Sequence, residues 1–277
     1  MNLFHNFFYF VNNILGDIMN ILITGAASGI AFSTMKKIND SDKLYLTVHS
    51  KNQIKRLKEK FKDRDNVEIF KLDVTNAWDR RKVKRLDIDV FISNAAIGEG
   101  GSVIDIDFDR VRENYEVNVF SNFELIQLVL SDMIKKDSGR IIIMSSLASQ
   151  IILPFLGSYT SSKSSISTLG LTLQKEVRKV SNNIYISVVE PGCYHTGFNQ
   201  VMLNNKYYYM DKYSVFYNKI DEIYKKENFI FKMIERKNLR TVTSKLIDII
   251  YCDEPKPLYR VPVDQSLFTK LYMLFKR

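Results

Sequence analysis

Between residues 19 and 189 the chain repeats one phrase: a short apolar run, a loop of small or polar residues, then a stretch with helical spacing. The first copy is residues 19–24 (MNILIT), which reads as a buried strand and runs straight into Gly25-Ala26-Ala27-Ser28-Gly29-Ile30-Ala31 and a helix. Further strands are expected at residues 44–48, 67–72, 89–93, 140–144, 184–189 and 258–261. Such alternation predicts an α/β fold, a doubly wound parallel sheet with helices on both faces and ligands at the carboxyl ends of its strands.

The loops at those strand ends carry the candidate binding residues. Small residues at 25–29 let main-chain N–H groups approach a pyrophosphate at a helix N-terminus, where the helix dipole favours negative charge. Thr24, Gly25, Ser28, Gly29 and Ile30 are therefore expected around a dinucleotide. A site for an unphosphorylated ribose usually places a carboxylate about twenty residues after the glycines. Residues 45–52 contain no Asp or Glu, and His49, Ser50 and Lys51 would suit a 2′-phosphate, so NADP is favoured over NAD. The same three residues would also serve as an ordinary polar strand end. Asp73 and Val74, after the third strand, either flank the cofactor base or form a turn. Asn94 and Ala95 follow the fourth strand, and Pro191, Gly192 and Thr196 follow the one at 184–189, so all should meet in one crevice.

Residues 139–163 carry the candidate chemistry. Tyr159 and Lys163 stand one helical turn apart and share a face. An ammonium beside a phenol favours the phenolate, which is expected to draw the Tyr159 pKa down from its usual value of about 10 and make it a general acid or base. Tyr208/Lys212 and Tyr272/Lys276 repeat the spacing, but only Tyr159/Lys163 has Ser146 at a strand exit upstream and an apolar stripe, Ile166, Leu169 and Leu173, to pin its helix to a sheet. Asn118 falls inside a helix expected over 109–134, where Asn competes for main-chain hydrogen bonds, so a specific use is expected for it.

With 277 residues, 45% of them hydrophobic, and no linker or repeat, a single domain is expected over 19–277, preceded by an extension at 1–18. Cys193 and Cys252 are too few for a disulfide framework and lack metal-ligand spacing, which points to a reducing cytoplasm and no metal. The net charge of +9 comes from cations interleaved with acids on several segments, which argues against nucleic acid as a partner. Phe4, Phe7, Phe8, Val11, Leu15 and Ile18 form a stripe too short and too flanked by polar residues to span a bilayer, so no stable membrane insertion is expected. In residues 199–238 aromatics crowd together, either as a substrate lid or as helix-to-core packing, with the lid preferred. Leu267, Phe268, Leu271 and Phe275 would dock the tail on the body or on a partner subunit.

Taken in order, Thr24-Gly25-x-x-x-Gly29, Asn94-Ala95, Asn118, Ser146 with Tyr159-x-x-x-Lys163, and Pro191-Gly192 with Thr196 make the chain resemble the short-chain dehydrogenases/reductases, in the branch that reads TGxxxGxG. The resemblance covers residues 19–196. It implies a Rossmann-like sheet of about seven strands. It also implies a catalytic set of Asn118, Ser146, Tyr159 and Lys163, acting with NADP(H) on a small-molecule carbonyl or secondary alcohol. Tyr159 would pass the proton, and Ser146, rather than Ser145, would bond the substrate oxygen. Lys163 would tune the phenol and hold the nicotinamide ribose, Asn118 would hold a relay water, and Thr196 would position the carboxamide. Ala31 stands where the family has its third glycine, and Ala96 where it has the glycine of NNAG, changes expected to shift cofactor fit modestly. Ile151, Ile152, Leu153, Pro154 and Phe155 are expected to wall an apolar substrate. By the same analogy, Ser161, Ser165, Thr168 and Thr172 would allow helix pairing in a homodimer or homotetramer. Rival readings are a redox sensor or scaffold that binds NADP without turnover, and a sugar-nucleotide epimerase or dehydratase. The four catalytic positions speak against the first, the glycine spacing and short chain against the second.

Overall fold

The computed structural model describes residues 18–275; the aromatic stripe from Phe4 to Leu15 and the cation of the Tyr272/Lys276 pair lie outside them. Seven strands, β1 (Asn20–Ile23), β2 (Lys43–Val48), β3 (Val67–Lys71), β4 (Val90–Ser93), β5 (Gly139–Met144), β6 (Ile184–Pro191) and β7 (Leu258–Val261), make one sheet in the order β3-β2-β1-β4-β5-β6-β7. Every pairing is parallel. The winding reverses between β1 and β4, and a doubly wound sheet opens its ligand crevice above such a reversal.

The helices are α1 (Gly29–Met35), α2 (Lys51–Lys60), α3 (Ala77–Arg81), α4 (Phe108–Tyr115), α5 (Asn122–Lys136), α6 (Gly157–Val177), α7 (Phe198–Tyr213), α8 (Ile220–Ile234), α9 (Arg240–Tyr251) and α10 (Val263–Phe275). Alternate strand residues feed opposite faces. Ile21, Ile23, Leu44 and Leu46 pack with Met35, Leu57, Leu246 and Ile249 on one face. Leu22, Tyr45, Phe91 and Ile141 pack with Leu125, Val129 and Ile166 on the other. Burial on both faces is why these strands read as continuous apolar runs rather than alternating ones.

Three sequence expectations change in detail. The helix expected over 109–134 is α4 and α5 joined by a π-helical turn, Glu116–Ser121, with Asn118 inside it. Such turns arise where the regular bonding ladder is interrupted. The helix of Tyr159, which the apolar stripe predicts to run to about Val180, ends at Val177, and Lys179 and Val180 belong to the following turn. The tail does not dock its apolar stripe on the body. Instead α10 sets Ser266 (8% exposed) and Thr269 (5%) against the protein and turns Leu267, Phe268, Leu271 and Phe275 outward. Hydrogen bonds at its root dictate this roll. Gln265 accepts from the Cys193 N–H and donates to the Ile234 carbonyl, while Asp264 pairs with Arg236.

Helix α6 sits hard on the sheet at Gly170, where a Cβ would lie 2.8 Å from Val188 Cγ2 and 2.9 Å from Ile143 Cδ1. Gly170→Val is expected to lift the helix and destabilise the fold by about 1–3 kcal/mol, despite the better helix propensity of Val. Urea unfolding of the two proteins checks this.

Candidate active site

The glycine turn is built by contacts that leave no space for side chains. Gly25 and Gly29 both have φ of +65°, a left-handed conformation that L residues adopt at a cost. A Cβ on Gly25 would stand 3.0 Å from Ala95 Cα, and one on Gly29 would stand 3.3 Å from Thr196 Cβ. Thr24, fully buried, ties this turn to the next loop: its hydroxyl accepts from Asn94 N–H (3.0 Å) and Ala95 N–H (3.1 Å). Asn94 Nδ2 donates to the Thr24 carbonyl in return (3.0 Å). Ser28 occupies the N-cap of α1 in extended conformation with no hydroxyl bond to the helix, and Ile30 follows in its first turn. Thr24, Gly25, Gly29, Asn94, Ala95 and Thr196 are thus brought together above β1 and β4, as the sequence predicts. Bare main chain at a helix N-terminus fits a pyrophosphate.

The same fit extends along β2. His49 and Lys51 are exposed, and Ser50 caps α2 without a side-chain bond to it. Arg56, which sequence reading does not single out, reaches from α2 to the Ala27 carbonyl (2.8 Å) and so places a guanidinium beside the glycine turn. Asp73 takes the turn-forming alternative: its Oδ1 accepts from Thr75 N–H and from the Thr75 hydroxyl. Val74 is buried in the core. Of the two residues that stand where the family has glycine, Ala31 is buried in the opposite core and Ala96 is half-buried in the loop after β4.

The catalytic candidates meet on the other wall. The Ser146 hydroxyl stands near enough to the Tyr159 phenol to lower its pKa, lies 3.5 Å from the Pro191 carbonyl and accepts from Ala148 N–H. Ser145, the less favoured serine, points elsewhere and donates to the Lys163 carbonyl. The Lys163 ammonium is buried and donates to the Met144 carbonyl at 3.1 Å. It sits 5.9 Å from the Tyr159 ring centre.

The electrostatics differ from the sequence expectation. Burial pushes the Tyr159 pKa up to about 12, and the nearby Ser146 hydroxyl offsets this only in part. Burial likewise draws Lys163 down to about 8. Desolvation is the largest cause of both shifts, because each charged form loses water in the same buried pocket. The phenol is therefore held protonated.

Asn118 is used fully by its side chain, which explains an Asn in mid-helix. Its Oδ1 accepts from Ile97 N–H (2.9 Å), and its Nδ2 contacts the Ile97 carbonyl, Asn114 Oδ1 and Ser162 Oγ. It clamps the loop after β4 to α6.

Several supports escape sequence reading because their partners are distant in the chain. Glu190, buried at the end of β6, accepts from Ser149, Gln150, Ser167 and Arg260 and thereby fixes the turn Leu147–Gln150 behind Ser146. Gln265 fills the space beside Gly192, where a Cβ would come within 1.9 Å of its Oε1. Phe155 adopts φ of +61°, and its carbonyl accepts from Gly101 N–H. From above, Phe198 tilts over Tyr159 with ring centres 5.7 Å apart, and Leu153, Leu156, Met202 and Phe231 complete an apolar cap. Ile152, expected in that wall, is 80% exposed and faces solvent instead. Among the described residues no group of three or more metal-ligating side chains occurs, Cys193 and Cys252 are free thiols, and no helix is long and apolar enough to cross a membrane.

Lys163 gives the site a pH signature. Its proton affinity is lower in the folded chain (about 8) than in the unfolded one (10.5), so between these values the unfolded chain binds more protons and stability rises with pH. The unfolding free energy of the wild type relative to Lys163→Met is expected to climb by on the order of 3 kcal/mol from pH 8 to pH 10.5. Denaturant titrations of both proteins at several pH values measure it.

Comparison with known proteins agrees with this geometry. A family model described as short chain dehydrogenase matches residues 19–206. Human 17-beta-hydroxysteroid dehydrogenase type 1 is 28% identical over 204 residues, 69% of this chain and 62% of that protein's length. A probable short-chain type dehydrogenase/reductase, VdlC of Helicobacter pylori, is 24% identical over 91% of this chain and 92% of its own. Two solved folds superpose closely. A short chain dehydrogenase/reductase from Burkholderia phymatum in complex with NAD has a TM-score of 0.77 at 16% identity, covering 94% of this chain and 96% of that one. A short chain dehydrogenase from Burkholderia cenocepacia in complex with NADP has a TM-score of 0.70 at 16% identity, covering 94% of each. The chain belongs to the short chain dehydrogenase family of NAD(P)-dependent oxidoreductases.

Proposed function

We propose that this protein reduces a carbonyl of an apolar small molecule, or oxidises the matching secondary alcohol, with NADP(H) as the preferred cofactor. The observation that carries the reading is the Ser146 hydroxyl beside a Tyr159 phenol kept protonated by burial, with the Lys163 amine one helical turn away. The nicotinamide, when bound, supplies the hydride chemistry. Tyr159 then donates its proton to the substrate oxygen, and Ser146 bonds the same oxygen and fixes its position. A phenol with a raised pKa suits the donor role in the reductive direction, and the same oxygen takes the proton back in the oxidative one. Lys163, with a pKa of about 8, exchanges protons readily near neutrality and returns one to the phenol. Asn118 keeps the loop after β4 in register, and any water relay from it would use its main-chain carbonyl, since its side-chain amide is fully engaged.

For the cofactor, Gly25, Ser28, Gly29 and Ile30 would cradle the pyrophosphate, and Asn94, Ala95, Pro191, Gly192 and Thr196 would flank the rest. Asp73 and Val74 would border the adenine, and Ser50, Lys51 and Arg56 would receive a 2′-phosphate, with His49 at the rim. Helices α7 and α8 form a lid of apolar side chains, and residues 19–277 act as one domain. We place the protein in the cytoplasm on the strength of its two free thiols and infer a homo-oligomer through α4 and α6. There Val103, Phe108, Val111, Tyr115 and Phe120 line an open depression.

Tyr159→Phe is expected to lower turnover at least about 100-fold with cofactor affinity unchanged. A panel of ketones and alcohols, followed by nicotinamide absorbance, reads this; cofactor binding with no turnover on any of them would favour the sensor reading instead. Lys51→Glu is expected to weaken NADPH at least about tenfold and NADH little, because it sets a like charge against a phosphate. Equal effects on both cofactors in fluorescence titrations would remove the NADP assignment.

A further inference from the structure

Helix α10 is mounted against its own sequence pattern. Its small polar residues Ser266 and Thr269 face the body, while Val263, Leu267, Phe268, Leu271, Leu274 and Phe275 are all more than half exposed, Phe275 at 85%. The roll is fixed at the helix root by Gln265 and Asp264, so the apolar side is held outward rather than left there by loose packing. At that root the last turn of α8 adds Met233 and Ile234, both exposed, and Ile234 accepts the bond from Gln265. A water-facing apolar surface of this size marks a contact site.

Charge selects the occupant. The stretches around this surface, residues 229–240 and 263–275, contain Lys232, Arg236, Lys237, Arg240 and Lys270. Their only carboxylates are Glu235 and Asp264, already bonded to His195 and Arg236. A two-fold contact between copies would lay this cationic patch on itself. A helix with Leu and Phe on one side and more cations than carboxylates at its borders is what an anionic lipid surface receives.

We propose that α10 and the end of α8 are a docking surface for an anionic bilayer, lying on the membrane without crossing it. The placement is next to the crevice: Gln265 bonds the Cys193 N–H and fills the space beside Gly192 at the end of β6. A docked molecule would open its apolar cap toward lipid, so its substrates are expected to be hydrophobic carbonyls or alcohols that partition into membranes. That last step rests on the function proposed above; the docking does not.

The test is co-sedimentation of the full chain with phosphatidylcholine vesicles containing or lacking phosphatidylserine. Binding is expected only with phosphatidylserine, weakening as salt rises, and at least about tenfold weaker for the double variant Leu267→Gln, Leu271→Gln. Because both side chains are exposed, the variant should keep its thermal midpoint and its turnover of a water-soluble substrate. In Phe268→Trp, the added fluorescence should be quenched by brominated phospholipid. The proposal is overturned if the wild type stays in the supernatant, if the double variant sediments like the wild type, if the fluorescence added by Phe268→Trp is not quenched, or if gel filtration shows a wild-type dimer that the double variant converts to monomer. Loss of turnover in a chain that still binds vesicles would count against the enzymatic reading alone.

Discussion

Everything at the active centre depends on how closely one helix lies on one strand. Gly170 lets α6 touch Ile143 and Val188, and that approach carries Lys163 deep enough to bond the carbonyl of Met144. The same seating sets Ser145 on the Lys163 carbonyl and brings Ser146 to the Tyr159 phenol. A buried amine and a buried phenol are expensive groups to fold around. Their cost is offset by the surrounding apolar packing, and the result is a proton donor already stripped of water before any substrate arrives.

The two walls of the crevice are assembled in different ways. The cofactor wall presents mostly main chain: the Thr24 and Asn94 side chains are spent on backbone groups of the neighbouring loop, and further side chains are kept away by Gly25 and Gly29. The catalytic wall is side chain, and it needs outside support. Glu190 gathers Ser149, Gln150, Ser167 and Arg260 around one carboxylate, which holds the short turn after Ser146 rigid. Buried carboxylates persist where they are bonded this completely.

The sheet and the motif residues are legible in the sequence because they obey local rules. Strand runs such as residues 19–24 and 140–144 are apolar throughout since both faces are covered, and Gly25, Gly29, Asn94 and Thr196 sit at strand ends where a doubly wound fold puts its ligands. What escapes the sequence depends on balance or on distance. The direction of the Tyr159 shift turns on burial against attraction, and only coordinates fix how much water the phenol loses. The π-helical turn at Asn118 is foreshadowed by an Asn in mid-helix, but its partners, Ile97 and Ser162, are far away in sequence. The sequence leaves open whether the α10 stripe meets the body or a partner, because a periodic stripe says which residues share a side, not which side meets the body.

Residues after the matched family segment complete the centre as well as cover it. Arg260 on β7 is the cation that answers Glu190, and Gln265 occupies the space beside Gly192, so both lie downstream of every recognisable motif. A fragment ending at residue 206 would therefore still read as a full set of signatures while leaving a sealed-in negative charge with no counterion. In this chain the signature and the working machine have different lengths, and inserts or fusions placed near the carboxyl end would be felt at the serine rather than at the nucleotide.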